Sequence, residues 1–148
     1  MQPKIAHDDL VLVADGAKAL LLRNHGEPEL LDLRAEEVMS SRPNPRTSEQ
    51  GADKPGRHWD RISGQRSAAE QTDFHALAEE QFTKRVADAL NERDRVGKVT
   101  GLVVVAPPIA LAELRDAWSR SLQRKIKAEI NKDLTKHPVK EIERILSQ

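Results

Sequence analysis

Five consecutive apolar residues, Leu10 to Ala14, form the first strong hydrophobic segment of the chain, and an unbroken run of this length predicts a strand buried on both faces. Asp15-Gly16 follows, a dipeptide suited to the positive φ angles of a tight hairpin. A second strand is expected over Ala17 to Arg23, closed by the turn residues Asn24-His25-Gly26-Glu27-Pro28. The third should start near Glu29 and run through Leu30, Leu31 and Leu33 to about Val38, completing an antiparallel meander.

Periodicity then stops. Between Ser40 and Gln71 the chain is polar and punctuated by Pro43, Pro45, Gly51, Pro55, Gly56 and Gly64, with only Trp59 and Ile62 able to act as apolar anchors. A loop of this length inside a compact domain is either functional or disordered, so residues 40–71 are expected to form a long flexible loop. Thr72 reads as an N-cap with Asp73 in the first turn, and Phe74, Leu77, Ala78, Phe82, Val86, Ala89 and Leu90 recur on one face of a helix that ends by Gly97.

Thr100 to Ala106 contains Leu102-Val103-Val104-Val105, a second buried-strand run, which Pro107-Pro108 stops. Leu111, Leu114, Trp118 and Leu122 continue at helical spacing. Lys125 to Ile130 alternates apolar and charged side chains as an edge strand does, although a helix is also compatible. Pro138 suits a first helical position, with Val139, Ile142 and Leu146 lined up behind it.

Three strands, a loop, then helix, strand, helix, strand and helix make an α/β fold. Because parallel crossovers are almost always right-handed, helices should cover both faces of a five-stranded mixed sheet. The expectation is a three-layer, ribonuclease-H-like fold with strand order 3-2-1-4-5 and the second strand antiparallel.

With 148 residues the chain is expected to be one domain, 1–148. It contains no cysteine, which excludes disulfide frameworks and thiolate metal sites. Its longest N-terminal apolar run is too short for a signal-peptide core or a bilayer span, so a cytoplasmic location without membrane contact is expected. The net charge is zero but unevenly spread. Residues 115–140 carry eight Lys/Arg against three Asp/Glu, residues 40–71 carry six against four, and the remainder carries ten against seventeen. Such polarisation can give one face an attraction for phosphate backbones that the net charge conceals, while interspersed charges can equally be a solvated surface.

Enzymatic chemistry finds little support. A two-metal nuclease of this architecture needs carboxylates from the first strand, the first helix and the fourth strand. Asp15 and Glu79 or Glu80 supply two of these, but Val105-Ala106-Pro107-Pro108 brings no third, and Asp15 is better explained as a turn residue. His7, His25, His58, His75 and His137 are scattered, without the i, i+4 pairing of a zinc helix. No nucleophile elbow, Walker loop or dinucleotide fingerprint is present. No cofactor and no metal are expected. Phosphate binding fares better: Arg57, Arg61 and Arg66 stand among glycine and serine, where backbone N–H groups and guanidinium forks can approach an anion. The same arginines could instead pair with Glu49, Asp53 and Asp60.

Several segments together resemble a bacterial family named for being required for attachment to host cells: VADGAKALLL (13 to 22), EQGADKPGR (49 to 57), RSAAEQTDFHALAEEQF (66 to 82), APPIALAELR (106 to 115) and EINKDLTKHPVKEIE (129 to 143). That family is similar to the middle domain of archaeal and eukaryotic class-1 release factors and of Pelota. The resemblance implies a ribonuclease-H-like fold and a link to the ribosome. In those release factors a Gly-Gly-Gln tip between the third strand and the first long helix promotes peptidyl-tRNA hydrolysis, and Ser63-Gly64-Gln65 occupies that topological place here. Serine replaces the first glycine and resists the backbone angles that glycine allows.

The expected function is therefore a non-enzymatic cytosolic factor that binds ribosomes or structured RNA. Arg57, Arg61, Gly64, Gln65 and Arg66 would form the tip, with Lys132, Lys136 and His137 contacting phosphate nearby. Two alternatives stand beside it. One is peptidyl-tRNA hydrolysis in which Gln65 orients water; the other is a protein-interaction module in host attachment that uses loop 40–71.

Overall fold

The computed structural model describes residues 4–41 and 68–147, with side chains from Leu77 onward in the helix that starts at Ala68. Five strands, β1 (Leu10–Ala14), β2 (Lys18–Asn24), β3 (Leu33–Ser40), β4 (Leu102–Ala106) and β5 (Ile126–Asn131), form one sheet. Its order is β3-β2-β1-β4-β5. β2 runs antiparallel to β1 and β3, whereas β4 is parallel to β1 and to β5. The expected topology is thus the observed one.

Helix α1 (Ala68–Arg95) connects β3 to β4, α2 (Pro108–Ala117) and α3 (Arg120–Gln123) connect β4 to β5, and α4 (Val139–Ser147) follows β5. Side chains alternate across the sheet as the strand period requires. Leu10, Leu12, Leu21, Leu102 and Val104 point into a core with Phe82, Val86 and Leu90 of α1, Leu111 and Leu114 of α2, Trp118 and Leu122. Val11, Val13, Leu20, Leu22, Val103 and Val105 face the other way, onto Ile142 and Leu146 of α4, Leu134 and Ile5. β1 and β4 are buried along their whole length. Helices therefore lie on both faces.

Four local expectations are corrected. The turn after β1 does not use positive φ: among the described residues only Asp8 (71°) and Gly97 (79°) have it. Asp15 closes that turn with its carboxylate instead, and Gly16 lies against Glu79: a Cβ there would lie 2.9 Å from that exposed side chain, which would have to swing aside. β3 begins at Leu33 rather than Glu29. Glu27 and Leu30 exchange backbone bonds of 3.0 and 3.1 Å, and Leu30 is 77% exposed. Buried Asn24 fixes this excursion: its Oδ1 accepts the N–H groups of Gly26 and Asp32 at 2.9 and 3.0 Å, while its Nδ2 donates to the Ile5 and Ala6 carbonyls.

The third correction concerns Thr72, which lies inside α1 and does not cap it, since the helix already runs from Ala68. At its other end α1 stops as expected. Gly97 adopts a left-handed conformation and the Lys98 N–H bonds to the Arg93 carbonyl at 2.9 Å, the arrangement in which glycine terminates a helix. Fourth, the helix expected through Leu111 and Leu122 is broken at Trp118, whose ψ of 140° is extended. Asn91 of α1 makes the break tolerable, its amide donating to the Ala117 carbonyl and its oxygen accepting the Ser119 N–H, both at 2.9 Å. Ser119 then caps α3 by accepting the Leu122 N–H at 3.1 Å.

Ion pairs concentrate at the edge of the sheet where β1, β4 and β5 begin. Buried Asp9 pairs with Lys127, and buried Asp94 pairs with Lys125. Arg23 donates to the Asp8 and Lys98 carbonyls at 2.9 and 3.1 Å and pairs with Glu36 at 2.7 Å, which Arg93 also contacts at 2.9 Å.

Replacing Asn91 by Ala strands two backbone groups in a partly buried break. Urea unfolding should show a loss of about 2 kcal/mol, with an unchanged m value. An effect within a few tenths of a kcal/mol would mean that water satisfies the break equally well.

Candidate functional site

The parallel strands all end at one edge of the sheet, so the residues that follow them are brought together whatever their separation in sequence. Asp15 follows β1, Pro107 follows β4 and Lys132 follows β5. The residue after β3, Ser41, bonds through its N–H to the Ala17 carbonyl at 2.9 Å. α1 passes this same edge at Glu79, whose side chain abuts Gly16. Described chain thus leaves at Ser41 and resumes at Ala68, eleven residues before Glu79 and roughly 16 Å further along the helix axis.

Residues 77–81 of α1 are exposed, with Leu77 at 52%, and the first buried side chain among the described residues of this helix is Phe82. Leu77 and Ala78 were expected on the core face; the sheet ends before it can cover them. Phe74 lies among the side chains outside the described part.

At the centre of this edge Asp15 joins two turns. Its Oδ1 accepts the Ala17 and Lys18 N–H groups, both at 2.7 Å, and its Oδ2 accepts the Thr135 hydroxyl at 2.7 Å. The same hydroxyl is 3.0 Å from Asp133 Oδ1, which also accepts the Thr135 N–H at 3.3 Å. A hydroxyl has one proton to donate, and the shorter contact assigns it to Asp15. Burial pushes the Asp15 carboxyl upward, but the Ala17 N–H, the Thr135 hydroxyl, the Lys18 N–H and the nearby Lys136 charge together hold it below the ordinary aspartate value.

Thr135 and Leu134 are buried, whereas Lys132, Lys136 and His137 around them are exposed. The basic segment 115–140 turns out not to be a single patch. Arg115 pairs with Glu129 at 2.6 Å, Lys125 with Asp94, Lys127 with Asp9 and Lys140 with Glu143 at 3.8 Å. Among the described residues, no ion pair engages Arg120, Arg124, Lys132 or Lys136. The two arginines precede β5 and the two lysines follow it, so the strand separates the pairs by roughly 20 Å. Only the lysines share an edge with Asp15 and Ser41.

The remaining candidates divide as follows. Arg57, Arg61, Gly64, Gln65 and Arg66 lie outside the described residues, as does Trp59 and residues 42–67 of the expected flexible loop. Lys132, Lys136 and His137 are exposed in the short segment that joins β5 to α4. Among the described residues there is no group of three or more His, Asp or Glu side chains that could hold a metal ion, and no helix is long and apolar enough to cross a membrane. A groove of about 530 Å³ between α1 and the Ser119–Ser121 stretch is lined by Asp88, Glu92, Asp94 and Arg95, and one of about 240 Å³ between α1 and α2 by Glu80, Lys84, Glu113 and Asp116; in each, carboxylates outnumber the single cation three to one, which disfavours phosphate. Thr135 and Asp133 were not among the expected site residues, although they lie in the segment EINKDLTKHPVKEIE that carries part of the family resemblance. Their other signal is a hydroxyl between charged residues at a strand end.

The sequence model of the bacterial archaeo-eukaryotic release factor family 12 matches residues 8–146. No curated protein matches the chain. Among solved structures, that of an archaeal translation termination factor, aRF1, is similar with a TM-score of 0.47 and 11% sequence identity; the match covers 93% of this chain and 36% of that one.

Because the folded-state Asp15 carboxyl titrates below its unfolded value, its contribution to stability is complete above the unfolded value and is lost as pH falls through the folded one. Asp15→Ala should therefore be less stable than the parent at neutral pH, and the gap should close in acid. Melting curves across that window check this, and a gap independent of pH would refute it.

Proposed function

The chain belongs to the bacterial archaeo-eukaryotic release factor family 12, and from that membership we propose that it is a non-enzymatic factor that binds ribosomes or structured RNA. The binding surface is the sheet edge that carries Lys132, Lys136 and His137, together with Arg57, Arg61, Gly64, Gln65 and Arg66 of the segment rooted there. One observation carries this reading. Ser41 and the Glu79 turn of α1 lie at the same edge as two lysines that, among the described residues, no carboxylate engages in an ion pair. Elsewhere in residues 115–140 four of the six Lys/Arg side chains are consumed in ion pairs.

Phosphate backbones bind such cations largely by releasing condensed counterions, which makes the interaction weaken steeply with salt. On this reading the likeness to host-attachment proteins reflects an indirect effect on attachment, and the cytoplasm is the place of action. Gln65 then contributes contact, not chemistry.

Sedimentation of purified ribosomal particles with the protein tests this. If only Lys132 and Lys136 engage phosphate, raising salt fourfold should weaken co-sedimentation about tenfold, and further contacts steepen the loss. Absence of any salt-sensitive co-migration overturns the proposal. Release of a labelled peptide from stalled ribosomes should stay at background for both the parent and Gln65→Ala; release by the parent that Gln65→Ala abolishes would establish the enzymatic alternative.

A further inference from the structure

We propose that Thr135 is a positioning residue for polyanion binding, its hydroxyl latching the cationic turn 132–137 to Asp15. The inference rests on the functional reading above and specifies how its described half is built.

The turn has few other ties. Lys132 N–H bonds to the carbonyl of Ile130 in β5 at 3.0 Å; within the turn itself the His137 N–H bonds to the Leu134 carbonyl at 3.1 Å and the Thr135 N–H to Asp133 Oδ1 at 3.3 Å. Leu134 is held in the core under α4 by apolar contact, which fixes depth but not direction. Thr135 Oγ1 to Asp15 Oδ2, 2.7 Å long and joining positions 120 apart in sequence, is the directional bond between this turn and the rest of the edge. Thr135 is 2% exposed, so little water reaches it to compete.

Asp15 is itself immobilised. Its other oxygen holds the Ala17 and Lys18 N–H groups, and the Ala17 carbonyl accepts the Ser41 N–H. A continuous hydrogen-bonded path therefore runs from the basic turn through Asp15 to the residue at which segment 42–67 departs. Lysine side chains lose much rotamer freedom when they engage a phosphate. Holding their backbone in one place limits the additional ordering that binding requires. The latch also sets an acidic group near Lys136, a cost in electrostatic attraction that only a gain in geometry would offset.

That opposition of signs makes the test decisive. Thr135→Val preserves shape and burial but removes the donor, Thr135→Ser restores it, and Asp15→Ala removes the acceptor together with a negative charge. The full-length variants are titrated with a fluorescent hairpin RNA by anisotropy over a salt series, below their melting temperatures. For Thr135→Val we expect affinity at low salt to fall about tenfold and the log–log salt slope to shrink by roughly 1.5, the loss of two phosphate contacts. Thr135→Ser should follow the parent. Asp15→Ala should bind more weakly although it is more positive, whereas a charge effect alone would make it bind more tightly.

In a Lys132→Ala/Lys136→Ala background, Thr135→Val should change nothing further. The latch is overturned if Thr135→Val leaves a lysine-dependent slope intact, if it weakens binding equally without the lysines, or if Asp15→Ala binds more tightly. A parent that does not bind RNA, or binds it with no contribution from the two lysines, overturns the functional reading itself and the latch with it.

Discussion

Two strands without a polar side chain, Leu10–Ala14 and Leu102–Ala106, lie side by side in the middle of the sheet, and neither can be left facing water on either side. Burying a Val or Leu side chain contributes roughly 1.5–3 kcal/mol, so these neighbours dominate what the chain must achieve. Coverage of one face by α1, α2 and α3 and of the other by α4 answers that demand. The parallel pairing of β1 with β4 has a second effect. It sends both strands, and β5 beside them, out at one edge, where residues with no sequence relationship meet.

The two edges are put to different uses. Where β1, β4 and β5 begin, charge is spent on structure: Asp9 with Lys127, Asp94 with Lys125, and Arg23 among Glu36 and two carbonyls. Half-buried or buried carboxylates there are matched by cations, as the cost of leaving a buried charge unpaired requires. Where the strands end, no ion pair among the described residues engages Lys132 or Lys136, and the Asp15 carboxylate is satisfied mainly by N–H and hydroxyl donors.

What could be read from the residues followed the range of the forces involved. Burial of β1 and β4 is declared by the side chains alone, and β1 has its expected limits. The alternation at Lys125 to Ile130 identified an edge strand through the same local logic. The errors lie where distant groups decide. No pattern near Trp118 reveals that Asn91, on another helix, will satisfy a broken turn, and none near Leu30 reveals that Asn24 will divert the chain before β3. At the candidate site, Lys132, Lys136 and His137 announce themselves by charge. Thr135 acquires significance only through Asp15, and Asp15, understood from sequence as a turn residue, turned out to serve two turns at once.

From Phe82 onward α1 is cemented to the sheet, while residues 77–81 just before it face solvent. Helix growth is cooperative once a nucleus exists, and the cemented part is a permanent nucleus. The exposed turn can therefore stay helical without any core burial of its own, held by the ordered backbone that follows it.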